Sequence, residues 1–180
     1  GNSSPRYNIG FSGMARWKQF DFNMFWQGTL KRDLTPGQNM MWGIGTRGDN
    51  GGAFYQGHDD YWRPADETNL LGPNTDAYYA KPYVTTETYK NQATQTRYIL
   101  NAVFFRLKNI QIGYTIPQGI TQKLKIQALK FYVSGENLIT FDALPPYIDP
   151  ETSFPSSANG FLGAIYPMSR SISGGLNLTF

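Results

Sequence analysis

Five stretches of this chain alternate apolar and polar residues, and the connections between them are alternately short and long. In YNIGFSGMARW, Tyr7, Ile9, Phe11, Gly13, Ala15 and Trp17 share one parity, while Asn8, Ser12 and Arg16 share the other. After Lys18 and Gln19, FDFNMFWQG sets Phe20, Phe22, Met24 and Trp26 against Asp21, Asn23 and Gln27. A period of two marks a strand with one apolar face, and a two-residue link between two such strands predicts a tight hairpin over 7–17 and 20–28.

The pattern resumes in RYILNAVFFRLKNIQIGYTIP, expected as a strand over 98–116. Phe105 and Leu107 hold one parity, whereas Ile110, Ile112, Tyr114 and Ile116 hold the other, so the phase slips near Lys108–Asn109 and predicts a bulge. ITQKLKI reads as one helical turn. ALKFYVSGENLITF predicts a fourth strand over 128–141, with Leu129, Phe131, Val133, Ile139 and Phe141 apolar against Lys130, Ser134, Glu136 and Thr140. RSISGGLNLTF predicts the fifth, over 170–180. The long connections, 30–96 and 142–168, are dense in turn chemistry such as TPGQN, GTRGDNGG, RPADETN, LGPNTD and DALPPYIDPE, with a short strand expected around Tyr83–Thr88.

Strictly alternating short and long connections are the habit of transmembrane β-barrels, with short periplasmic turns and long extracellular loops. Eleven residues at about 3.3 Å each span roughly 36 Å, which when tilted by about 45° covers the apolar band of roughly 25 Å. Tyr7, Trp17, Phe20, Trp26, Phe141, Tyr166 and Phe180 then fall at strand ends, where aromatic girdles sit. The fold class expected is all-β, with about five antiparallel strands forming part of a large transmembrane barrel. A soluble β-sandwich module also produces alternation and remains an alternative, binding carbohydrate through loop aromatics.

Composition narrows the function classes. Aromatics reach 16% while charged residues are only 16%, and mean hydropathy is −0.45, so no apolar run long enough for a transmembrane helix exists. The absence of Cys excludes disulfides, thiolate metal sites and Cys nucleophiles. The net charge of +3 is scattered without a basic run, which argues against nucleic acid.

RYILNAVFFRLKNIQIGYTIP, FYVSGENLITF, YIDPE and YPMSRSISGGLNLTF, in that order, resemble the C-terminal part of SusC/RagA-type TonB-dependent outer-membrane transporters, as do GNSSPRY and FDFNMFWQG. The resemblance is weakest over 30–96. It implies a barrel of about 22 strands around an N-terminal plug. It also implies import of glycan or peptide fragments across the outer membrane of a Bacteroidota-like Gram-negative bacterium. The partners it implies are a SusD-like surface lipoprotein as lid, the TonB complex acting through the plug, the barrel-assembly machinery, outer-membrane lipid, and oligosaccharide or peptide cargo. Five strands cannot close such a barrel, so residues 1–180 are expected to be its last five strands, unable to transport alone. Leu176, Leu178 and Phe180 then correspond to the aromatic-ended signal read by the assembly machinery.

No catalytic, cofactor or metal role is expected. His58, Asp59 and Asp60, with Asp66 and Glu67 nearby, cluster acids in a loop, and a glycosidase would need two of them to converge. The RGD at 47–49 lies in a Gly-rich turn, and GTRGDNGG lacks the GK[ST] ending of a phosphate loop. Loop aromatics are the better contact candidates, because Trp and Tyr offer large area at low entropy cost. Trp42, Tyr55, Trp62, Tyr78 and Tyr79 are expected to touch lid or cargo. Asp21, Asn23, Gln27, Glu136 and Asn177 are expected to face the lumen.

Overall fold

The computed structural model describes residues 1–35, 59–68, 70–81, 95–146, 148–153 and 166–180. The chain divides into two units, the first made of Gly1–Asp33, Asn101–Thr152 and Pro167–Phe180, the second of Leu34–Leu100 and Ser153–Tyr166.

In the first unit the alternating stretches become β1 (Asn8–Trp17), β2 (Phe20–Thr29), β5 (Phe104–Thr115), β6 (Ala128–Glu136) and β8 (Ser171–Thr179). Two short strands, β3 (Asp33–Leu34) and β4 (Leu100–Asn101), form a separate ladder where the chain leaves and re-enters this unit. The main sheet runs β1-β2-β5-β6-β8, each neighbour antiparallel, with no crossover. Lys18 closes the β1–β2 hairpin in the left-handed region, at φ 53°. Between β5 and β6 a helical turn, α1 (Gln118–Thr121), runs on into a 3-10 turn at Gln122–Leu124, beginning two residues before the ITQKLKI stretch.

The bulge expected in the third strand is present. Asn109 pairs with Phe25 and Leu107 with Trp26, which leaves Lys108 as the extra residue. Its consequence reaches the neighbouring strand, where the structure departs from one continuous strand over 128–141. β6 stops at Glu136, Asn137 turns into the left-handed region at φ 53°, and β7 (Thr140–Asp142) resumes the pairing with β5. Lys108 O accepts the Asn137 N–H at 3.3 Å, and Ile139 O accepts the Leu107 N–H at 2.9 Å. Two β5 residues, Leu107 and Lys108, here face three, Asn137, Leu138 and Ile139, and Asn is among the few side chains that tolerate the left-handed conformation this needs.

Registers carry the alternation intact across the sheet. Trp17, Phe20, Tyr114, Phe131 and Leu176 form one cross-strand row; Ala15, Phe22, Ile112, Val133 and Gly174 form the next; Gly13, Met24, Ile110, Gly135 and Ile172 the third. All lie on one face. The opposite face carries Arg16, Asp21, Gly113, Tyr132 and Gly175, then Met14, Asn23, Gln111, Ser134 and Ser173, then Ser12, Phe25, Asn109, Glu136 and Ser171. Gly113 is needed there: a Cβ would lie 2.4 Å from Lys130 Cε and 2.6 Å from Asp21 Oδ1, whose side chains meet across it at 2.8 Å.

No second layer covers the apolar face among the described residues. Phe11 is 54% exposed, Val133 59%, Leu176 58% and Ile172 75%. In water each such side chain forgoes about 1.5–3 kcal/mol of burial, a loss that hydrocarbon solvent would remove. Aromatic clusters mark both ends of this face. Trp17, Phe20 and Tyr114 sit at the hairpin end, with ring centroids 6.5 and 4.8 Å apart. Trp26 stacks on Phe105 at 4.9 Å and lies 6.2 Å from Phe141 at the loop end. Most of the first unit's buried residues, Arg32, Ala102, Phe104, Arg106, Leu107, Leu144 and Ile148 among them, gather at that loop end, while Thr121 is buried in the turn between β5 and β6.

Candidate functional site

The most organised part of the first unit is an ionic cluster on the polar face at the loop end of β5. Arg106, one residue before Leu107 and the bulge, points away from the apolar face and is 3% exposed. Its Nε donates to Thr140 Oγ1 on β7 at 2.8 Å. One terminal nitrogen donates to Asp149 Oδ2 at 2.7 Å and the other to Glu151 Oε2 at 2.8 Å. The Lys108 ammonium donates to both Glu151 oxygens at 2.9 Å. A buried guanidinium that engages two carboxylates and a hydroxyl through its fixed fork holds them in one geometry.

The acids come from YIDPE in the second loop, and their local backbone is preset. Asp149 Oδ1 accepts the N–H groups of Glu151 at 2.8 Å and Thr152 at 3.2 Å, an Asx-type turn. Asp149 Oδ2 also accepts the Met168 N–H at 3.2 Å, which draws the two ends of that loop together. Burial pushes the Asp149 carboxyl up, but the Arg106 hydrogen bond, the two backbone donors and the Arg106 charge together hold it below the usual range. Arg32 adds a further tie, donating from Nη1 to Pro150 O at 2.9 Å and from Nε to Ser3 O at 3.3 Å.

Beside this cluster lies an open cavity of about 200 Å³, walled by Arg106, Asn137, Thr140, Ile148, Asp149, Met168 and four prolines, with Asp142 and Arg170 also on its lining. The break between β6 and β7 places Asn137 in its wall. The Asn137 amide nitrogen donates to Ser169 O at 3.1 Å, while its buried Oδ1 accepts no hydrogen bond.

The second unit carries the first loop, built around another buried arginine. Arg63, 7% exposed, donates to the carbonyls of Gly72 at 2.5 Å, Asp59 at 2.8 Å and Tyr61 at 3.4 Å, and its guanidinium lies 4.7 Å from the Tyr61 ring centroid. Asp60 accepts Asn74 Nδ2 at 2.9 Å on one oxygen and the Tyr78 N–H at 3.1 Å on the other, so it serves the loop's own folding. Among the described residues no group of three metal-ligating side chains converges.

Of the expected contact residues, Trp42 and Tyr55 fall outside the described residues, as do His58, the RGD at 47–49 and the stretch Tyr83–Thr88. Trp62 is 42% exposed. Tyr78 and Tyr79 are half-buried and pack edge-on at 4.9 Å, both against the buried Tyr98 at 5.6 and 6.3 Å. Leu176 and Leu178 pair with Phe131 and Leu129 on the apolar face, and Phe180 follows the last pair, 79% exposed. Asp21, Asn23, Gln27, Glu136 and Asn177 share the polar face. Sequence reasoning missed Arg106, Arg63 and Asn137 as centres. Two signals pointed toward the first of these: an arginine on the polar parity of β5, and the acids of YIDPE.

An uncovered apolar face banded by aromatics, opposite a polar face under an ordered loop, defines a segment of the wall of an outer-membrane-type β-barrel. Known proteins agree. No family model matches the chain. TonB-dependent receptor P3 of Formosa agariphila is 28% identical over 188 residues, covering 100% of this chain and 17% of the receptor. TonB-dependent receptor P26 of the same organism is 28% identical over 190 residues, with the same coverage. Among solved structures, the RagAB peptide importer in its open-open state superposes with a TM-score of 0.65 at 20% identity, over 99% of this chain and 17% of that one. The RagAB peptide transporter gives 0.66 at 20% identity, over 99% and 18%. The resemblance to SusC/RagA-type TonB-dependent transporters therefore holds at two levels, in sequence along the whole chain and in the fold of a barrel segment. The chain spans about a sixth of the length of these relatives.

Proposed function

We propose that residues 1–180 form the last five strands and the intervening extracellular loops of a TonB-dependent nutrient importer in the outer membrane of a Gram-negative, Bacteroidota-like bacterium. The single observation that carries this reading is the sheet with one apolar face uncovered across all five strands and a polar, charged face behind it. In a closed barrel the first face meets lipid and the second lines the lumen, while the outer edges of β1 and β8 pair with further strands. The chain contributes wall and loops, with no catalysis, and energy reaches cargo through a plug and the TonB complex. The relatives' names support this class: TonB-dependent receptors in two cases, a peptide importer and a peptide transporter in the others. Peptide or glycan fragments are the cargo, and a SusD-like lipoprotein closes the mouth over Trp42, Tyr55, Trp62, Tyr78 and Tyr79. The aromatic-ended β8, with Leu176, Leu178 and Phe180, is the signal read by the barrel-assembly machinery.

A pair of arginine substitutions in the full-length protein tests the wall assignment. Val133→Arg places a cation on the lipid face near mid-strand and is expected to cost about 2–4 kcal/mol, read as lost folded barrel in outer-membrane fractions. Ser134→Arg, one residue along on the other face, is expected to assemble normally. Equal effects from the two substitutions would refute the reading.

A further inference from the structure

We propose that the cavity beside Arg106 is a binding subsite for a zwitterionic ligand of one or two residues, such as a free amino acid or a dipeptide. The proposal rests on the reading of the polar face as the lumen wall, and it narrows cargo chemistry. The cavity's charges separate into two sets. Arg106 is consumed by Asp149, Glu151 and Thr140, so the inner wall is electrically settled. Arg170 and Asp142 also line the space and are exposed, but among the described residues they make no ion pair with each other or with any third group. Asp142 uses Oδ1 to accept the Leu144 N–H at 3.0 Å, which leaves Oδ2 open.

Two opposite charges that share a cavity without meeting are complementary to a molecule carrying both signs. A ligand carboxylate suits the Arg170 guanidinium, whose planar fork matches it. A ligand ammonium suits Asp142. Between them the wall offers apolar surface from Pro145, Pro146, Ile148 and Met168. The volume of about 200 Å³ is below that of drug-sized sites, about 300–1,000 Å³, and so suits one or two residues rather than a longer chain. Asn137 adds a demand of its own. Its buried Oδ1 lacks a donor, a condition that costs about 1–3 kcal/mol, so a donor delivered through a small opening of this wall is favoured. A neutral sugar supplies hydroxyl donors but neither charge, and among the described residues the lining holds no aromatic ring on which it would stack.

The test uses the full-length protein in lipid nanodiscs and the dipeptide alanyl-leucine, titrated beside its N-acetylated form, its C-terminal amide and the neutral disaccharide maltose. Arg170→Gln is expected to weaken dipeptide binding about 5- to 10-fold and to leave binding of the C-terminal amide unchanged. Asp142→Asn is expected to weaken the dipeptide similarly and to spare the N-acetylated form. Arg170→Lys keeps the charge without the fork and should bind the dipeptide more tightly than Arg170→Gln but less tightly than the unmodified protein, which separates lost charge from a disturbed fold. Undetectable dipeptide binding, equal binding of charged and blocked forms, indifference to the variants, or equal competition by maltose would each overturn the assignment. The Val133→Arg and Ser134→Arg pair reads the wall independently, so failure here with that pair behaving as expected condemns the subsite and not the barrel.

Discussion

Both described loop regions are organised around a buried arginine, and they use it in opposite ways. Arg63 is satisfied by carbonyl oxygens from within its own loop, two to nine residues away in sequence. Arg106 stands on the sheet and is satisfied by carboxylates 43 and 45 residues away. The first arrangement folds a loop upon itself. The second ties a loop to the wall. A carbonyl cradle is neutral and answers little to salt or pH, whereas an ionic clamp stores its strength in charges that both can alter.

The largest effect separating the two regions should come from Arg106→Ala. It leaves Asp149 buried without its counter-ion, and breaking such a pair costs about 3–5 kcal/mol. Amide exchange at Glu151 and Thr152 should accelerate strongly, while exchange near Arg63 stays as it was. Protection at Glu151 and Thr152 that survives the substitution would dissolve the distinction. Arg63→Gln removes hydrogen bonds from a charged donor, each worth about 1.5–3 kcal/mol. Exchange of the Trp62 and Asn74 amides, which bond Tyr79 O and Arg63 O, is the readout, and the second loop should not respond.

Acid should sharpen the contrast. The Asp149 carboxyl is held below its ordinary value, so its contribution is fully present above the unfolded pKa of about 3.9 and fades as pH falls through the lower folded one. Protection at Glu151 should therefore be flat from neutral pH down to about 4 and decline below it, with no parallel decline at Trp62. The smallest effect is assigned to Lys108→Met. The Lys108 and Glu151 side chains are 19 and 23% exposed, and partly screened pairs contribute about 0.2–1 kcal/mol. A loss as large as that from Arg106→Ala would show that the bulge lysine, not the arginine, anchors the loop.

The wall was legible because alternation is local. Phe20, Phe22, Met24 and Trp26 declare a face without reference to any partner, and the phase slip near Lys108–Asn109 marks a bulge that the pairing resolves to Lys108. The break at Asn137 was not legible, since nothing in SGENLITF says that its neighbour carries an extra residue. It is a consequence of pairing, and pairing is non-local. The clamp was half legible. RLK and YIDPE were singled out as motifs, but their meeting depends on a loop folding back over more than forty positions. Arg63 gave no sign at all, because carbonyl acceptors belong to every residue and leave no mark in composition. Tyr78 and Tyr79 were legible only as aromatics in a loop, and that part of their surface is used against Tyr98 was not, since that contact is also set by folding.

The central claim is that one parity of these strands meets lipid and the other meets the lumen. This segment has no cysteine, and in a full-length protein kept free of other cysteines, single cysteines introduced along β6 from Leu129 to Glu136 can each carry a nitroxide label. In lipid bilayers, collision with dissolved oxygen should be high at 129, 131 and 133, and collision with a water-soluble nickel chelate high at 130, 132 and 134. Labels at 129, 131 and 133 shielded from both reagents, as inside a packed protein core, would contradict the account.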